Sequence, residues 1–169
     1  MNVEALKAMQ APLKDRYKTD PGAAMITLKA TGQATDGIVC KVETGRALVE
    51  AGLHPATGGD GSFACSGDML LEALVACAGV TLRAVATSIG VALREATVTA
   101  EGDLDFRGTL GVAKDAPVGF QRIRLNFALA SDASDEQLAT LIRLTERYCV
   151  VYQTLRSTPE ITVSRSAVA

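Results

Sequence analysis

The sequence predicts an α+β fold built mostly on antiparallel sheet. Three observations lead there. Apolar and polar residues alternate strictly in stretches near 24–50 and again in a pair at 97–129. One long apolar run, 66–89, sits between helix start and stop signals. A second amphipathic segment opens at Ser134 with a capping box. Strands in blocks, interrupted by helices rather than alternating one for one with them, give this class.

Taken in order, residues 3–17 read as a short helical arm that Pro12 breaks or restarts. Residues 1–21 are that arm, and 22–169 form one domain. Ala24, Ile26, Leu28 and Ala30 share one strand face, with Thr27 and Lys29 on the other. Gly32 to Gly37 reads as a hairpin loop. Ile38, Cys40 and Val42 line the next strand, and a third short strand follows around Ala47–Glu50. Residues 52–64 are rich in Gly and Pro and form a loop. Ser66 is the expected N-cap of a helix with Asp68 in its first turn and Gly90 as its left-handed stop. That helix is apolar on nearly every face, so other protein must cover it, and a second subunit is the expected cover. Val98, Ala100, Leu104 and Phe106 point inward from one later strand, and Ile123, Leu125, Phe127 and Leu129 from the next. Paired as a hairpin, the acidic outer face of the first meets Arg122 and Arg124 of the second. Ser134-Asp135-Glu136-Gln137 caps a helix with Leu138, Leu141, Ile142, Thr145 and Cys149 on one face. Ile161-Thr162-Val163 reads as a closing strand.

The net charge of −2 gives no nucleic-acid footprint. Glu72 and Arg83 interrupt the apolar run, which argues against a membrane span. No basic-then-apolar leader opens the chain, so a cytoplasmic location is the default. In that compartment the four cysteines, 40, 65, 77 and 149, are core, metal-binding or catalytic residues rather than a disulfide framework. The only histidine, His54, reads as a loop-surface residue, and the cysteines lack zinc-ligand spacing, so no metal is expected.

Cys77 lies in the middle of the apolar run and Cys149 in the last helix. Each is either a core cysteine or a working thiol. Cys40 reads as core, and Cys65 as a core residue near the helix start or a resolving thiol. A nucleophilic cysteine must ionise, and an unaided thiol near pKa 8.5 does not at neutral pH. Cys77 is about three turns into its helix, too far for the dipole to help. Its same-face neighbours Leu70, Ala73, Leu74, Val80, Thr81 and Ala84 are uncharged. Activation must therefore come from outside its own helix, with Arg46 the first candidate and Arg147 the second. Leu70, Leu74 and Val80 would wall any substrate pocket with apolar surface.

Two motifs resemble the OsmC/Ohr superfamily, the osmotically inducible protein C and organic hydroperoxide resistance proteins. The first is Ser66-Gly67-Asp68-Met69-Leu70-Leu71-Glu72-Ala73-Leu74-Val75-Ala76-Cys77, a short acidic lead into an apolar helix ending small-small-Cys. The second is Cys149-Val150-Val151-Tyr152-Gln153-Thr154-Leu155, 72 residues further on. The resemblance, over residues 22–165, implies an intertwined homodimer with mostly antiparallel sheets wrapped around two central helices. It implies a cysteine-based peroxidase acting on organic hydroperoxides in oxidative-stress defence. Cys77 would be the peroxidatic thiol and Cys149 the resolving one. A dithiol of the lipoyl type would be the donor, with no bound cofactor; an arginine would hold the thiolate and a carboxylate the arginine. The chain departs from the pattern where the usual proline after the second cysteine is Val150, and where the usual glutamate is Gly67, beside Asp68. The rival readings are an OsmC-fold protein without significant peroxidase activity that binds a small apolar ligand or a partner, and a redox sensor.

Overall fold

The computed structural model describes residues 3–35, 39–42, 51–165 and 167. Among them are five α-helices and one four-stranded antiparallel sheet of order β2-β1-β3-β4. The strands are β1 (Met25–Thr35), β2 (Val39–Val42), β3 (Glu95–Asp105) and β4 (Arg122–Ala130). The helices are α1 (Val3–Thr19), α2 (Ser66–Ile89), the single turn α3 (Phe106–Thr109), α4 (Asp135–Tyr148) and α5 (Val150–Arg156).

The expected β3–β4 hairpin forms with the expected faces. Val98 and Ala100 are fully buried, and Glu101 stands opposite Arg124 and Asp103 opposite Arg122. The strongest link is diagonal: Arg124 grips both carboxylate oxygens of Asp103, at 2.5 and 2.9 Å, and Thr27 of β1 donates to the same carboxylate at 2.7 Å. This network fixes the register of three strands on the polar face. At Gly102 any Cβ would fall 2.4 Å from the Phe120 ring, so the ring lies directly on the strand.

Helix α2 covers the other face of the sheet. It buries Leu71, Leu74, Val75, Ala78, Leu82, Val85 and Ala86, and ends at Gly90, whose φ of 72° is the expected left-handed stop. It is long and apolar enough to cross a membrane, but here it is the core helix of the fold. One stripe stays open in the single chain: Met69, Leu70 and Val80 are each 38% exposed.

Five expectations are corrected. Gly32 to Thr35, expected in a hairpin loop, continue β1 and pair with β2. The N-cap of α2 is Cys65, one residue before Ser66. Pro12 lies inside a continuous α1, because a proline removes one helical hydrogen bond and the rest of the helix continues around it. Ile161-Thr162-Val163 is not a strand; it pairs with none of the described strands, and Ile161 and Val163 are 76% and 93% exposed. Cys149 does not lie within a helix but at a corner between two. The third strand around Ala47–Glu50 lies outside the described residues, as does part of the loop beyond Thr35.

Candidate active site

The site is made by a break in a helix. Cys149 closes α4 and opens α5 with an extended backbone, φ −72° and ψ 109°. In an unbroken helix the N–H groups of Val150, Val151 and Tyr152 would bond the carbonyls of Glu146, Arg147 and Tyr148. The corner releases all three. The Tyr152 N–H donates to Cys149 Sγ at 3.4 Å, and the Val150 and Val151 N–H groups lie near enough to Cys77 to lower its pKa. The carbonyl of Glu146 is taken instead by the side-chain amide of Gln153, at 2.8 Å. Helical bonding resumes with the Gln153 N–H on the Cys149 carbonyl at 2.9 Å.

Cys77 faces this corner, half-buried against the core, and Cys149 is 1% exposed. The two thiols are near enough to shift each other's acidity and are both free. Their environments drive their acidities apart. Burial pushes Cys77 up, but the Val151 N–H, the Cys149 thiol, the Val150 N–H and the Thr81 hydroxyl outweigh it, and the net shift is downward. Burial also pushes Cys149 up; the Tyr152 N–H opposes it, Cys77 adds to it, and the thiol reaches about 11. The pair therefore sets one thiol below its ordinary pKa beside one raised above it.

The expectation that Cys77 is activated from outside its own helix needs this qualification: the donors are main-chain N–H groups of α5, with Thr81 of α2 adding one from the same helix. Arg46 lies outside the described residues. Arg147 is exposed and stacks over the Tyr148 ring at 5.5 Å. Sequence reading passed over the Val150 and Val151 N–H groups, Thr81 and Gln153. The one signal available was the absence of proline after Cys149, which leaves an N–H where a proline has none.

Of the residues expected to wall a substrate, Leu74 is buried and lines a cleft of about 540 Å³. Phe120, Ile123, Leu125 and Phe127 from the sheet side and Tyr152 and Leu155 of α5 complete its apolar walls, with Arg122, Glu146 and Arg156 adding charge. Leu70 and Val80 lie outside this lining, on the open stripe of α2.

A carboxylate group gathers at the start of α2. Burial raises Asp68, against the pull of His54. Burial and the charge of Asp68 raise Glu72. His54 is not the surface histidine expected: it is half-buried, stacks on Phe106 with ring centroids 5.0 Å apart, and accepts the Ala56 N–H at Nδ1. Burial lowers it, with Asp68 opposing. Cys65 is half-buried against the core, and the Cys40 side chain lies outside the described residues.

An apolar core helix that presents one acidified thiol to a second thiol at a helix corner defines a dithiol site on an α+β scaffold. The chain belongs to the OsmC-like protein family, whose model matches residues 59–164. Among solved structures, an OsmC-like hydroperoxide resistance protein from Jannaschia sp. CCS1 is similar in fold, with a TM-score of 0.60 and 20% identity over 82% of this chain and 91% of that one. An OsmC-like protein from Mycoplasma pneumoniae is similar with a TM-score of 0.56 and 14% identity, over 79% and 86%. No curated protein sequence matches the chain.

Proposed function

We propose that the protein is a thiol-dependent peroxidase that reduces organic hydroperoxides. The observation that carries this reading is the pair itself: two free thiols, Cys77 on α2 and Cys149 at the corner that opens α5, brought together where these helices pack, with their surroundings lowering the first and raising the second. The similarity to the Jannaschia hydroperoxide resistance protein supports the same chemistry.

The Cys77 thiolate attacks one peroxide oxygen, the O–O bond breaks, and the substrate leaves as an alcohol after taking a proton. Sulfur is oxidised by two electrons to the sulfenic acid. The Cys149 sulfur then attacks that sulfur; its proton leaves with the hydroxyl as water, and a disulfide forms. A dithiol donor of the lipoyl type restores both thiols by exchange and closes its own disulfide.

The protein acts as a homodimer in this reading. Met69, Leu70 and Val80 are exposed on the one helix that is otherwise core, and β4 is an open sheet edge among the described strands. Activating Cys77 further with Arg46 belongs to the same proposal.

In this reading alkyl tails rest on the apolar side of the cleft beside α5, formed by Leu74, Phe120, Ile123, Phe127, Tyr152 and Leu155. Two buried methylenes contribute about 1.6 kcal/mol, so tert-butyl and cumene hydroperoxides should exceed hydrogen peroxide in kcat/KM by about tenfold or more. Stopped-flow comparison of the three, with dihydrolipoamide as donor, tests this. Equal rates, or a preference for hydrogen peroxide, count against the substrate class. The same cleft favours a second reading, binding of a small apolar ligand without turnover. Saturable binding of such a ligand by a protein whose thiols ignore hydroperoxide would establish that reading instead.

A further inference from the structure

The arm α1 is anchored by Tyr17, which is 2% exposed, with Leu13 adding a partly buried contact. The Tyr17 hydroxyl donates to the Ala56 carbonyl at 2.7 Å. Ala56 sits in the 3-10 turn Pro55–Thr57, which His54 caps. The His54 backbone is fixed: its carbonyl accepts the Thr57 N–H at 2.8 Å, the Gly59 N–H at 3.2 Å and the Thr57 hydroxyl at 2.9 Å. Its ring stacks on Phe106, and Nδ1 accepts the Ala56 N–H at 3.0 Å. Ala56 therefore carries both bonds, one to the ring through its N–H and one to the arm through its carbonyl. An imidazole nitrogen accepts only while it carries no proton. A proton on Nδ1 would set one N–H against another at the residue that holds Tyr17.

We infer that His54 is a pH-operated latch: the neutral ring, acting through Ala56 and Tyr17, holds the arm α1 on the body of the protein, and the protonated ring releases it. The inference goes beyond the peroxidase reading and does not rest on it. The charge acting on the ring is that of Asp68 in α2, which favours protonation, and Glu72 stands behind Asp68 on the same helix. From α1 come Tyr17 and the neighbouring Arg16. From α3 comes Arg107, which Asp105 grips, and Asp60 of the same loop is taken by Ser62. Burial lowers the docked ring. A released ring titrates near its ordinary value of about 6.5, so docking is strongest above that pH and weakens below it. A docked ring that stayed wholly neutral would lose about thirtyfold in docking by pH 5, and Asp68 reduces that figure. Once released, α1 is a 17-residue helix with Pro12 inside it, too marginal to persist alone.

The experiment uses the full-length protein and measures hydrogen exchange by mass spectrometry from pH 5 to 7.5, with the intrinsic pH dependence of exchange divided out. The expected result is a loss of protection in α1 peptides of about fivefold or more on going to pH 5, with β3 peptides unchanged. The decisive variant is His54→Asn, because an asparagine oxygen accepts a backbone N–H two residues on and does not titrate. Its arm should stay protected across the whole range. His54→Ala has no acceptor, and its arm should exchange quickly at both ends of the range; if it folds poorly, the asparagine variant decides alone. No pH step in the parent overturns the inference. A step that survives in His54→Asn overturns it too, and makes Asp68 or Glu72 the trigger. Loss of protection in β3 in step with α1 means that the whole fold opens, and likewise overturns it.

Discussion

Replacing Val150 with proline separates activation of the thiol from stability of the fold. The side chain is 71% exposed, so little packing is lost. Val150 is the first residue of α5, where proline is favoured, and Cys149 before it already has the extended backbone that a following proline demands. The unfolded chain loses freedom, so the variant should gain about 0.4–1 kcal/mol in stability. The thiolate, by contrast, loses one of its two main-chain donors. A hydrogen bond to a charged group contributes about 1.5–3 kcal/mol. The Val151 N–H, the Thr81 hydroxyl and the Cys149 thiol remain, which places the loss at the lower end, about a tenfold smaller thiolate fraction at neutral pH. The assay is the pH dependence of Cys77 alkylation, read by mass spectrometry beside a urea melt. An unchanged melt with slower alkylation, or a more stable protein with slower alkylation, agrees with the account. An unchanged alkylation profile in a folded variant refutes it and hands activation to an arginine, with Arg46 the first candidate by its position in the chain.

Further outcomes follow from the same contacts. At pH 7 the Cys149 thiol, raised to about 11, should alkylate far more slowly than Cys77 even in urea-free conditions where both peptides are recovered; equal rates would contradict the split between them. Leu74→Ala empties a site that is 2% exposed and should cost about 2–5 kcal/mol in a urea melt. Tyr17 is buried and donates to the Ala56 carbonyl at 2.7 Å, so Tyr17→Phe should cost about 1 kcal/mol and leave Cys77 reactivity unchanged. Burial raises Asp68 in the folded state. The native protein therefore binds that proton more tightly than the unfolded chain, and stability from this group is present below the ordinary carboxylate pKa and lost as pH rises through the raised one. The melting midpoint of Asp68→Asn, relative to the parent, should accordingly climb as pH rises above the ordinary carboxylate range; a flat difference would contradict the burial argument.

The parts of the fold legible in the sequence were those marked by local chemistry. Gly90 stops α2 because its φ of 72° suits glycine, and Ser134 with Gln137 forms both bonds of the capping box. The β3–β4 register follows from acidic residues on one strand and arginines on the next. The corner at Cys149 was hidden because Cys149 follows Thr145 at helical spacing and no breaker marks the change. Its geometry depends on where released N–H groups find sulfur, which is a tertiary matter. Ile161-Thr162-Val163 has strand-like composition, but composition alone does not decide pairing. At the site, the choice of Cys77 and Cys149 was readable only as a resemblance. What separates them chemically, main-chain donors on one and deeper burial of the other, appears only when α5 is set against α2.

The central claim is that Cys77 and Cys149 act together on a hydroperoxide. The most direct measurement is anaerobic thiol counting on the reduced protein before and after one equivalent of cumene hydroperoxide, with peptide mapping of the product. The account predicts two thiols lost per equivalent, one Cys77–Cys149 cross-linked peptide, and Cys40 and Cys65 still free. Unchanged thiols, or oxidation of Cys77 to a sulfinic acid with Cys149 left free, would contradict it.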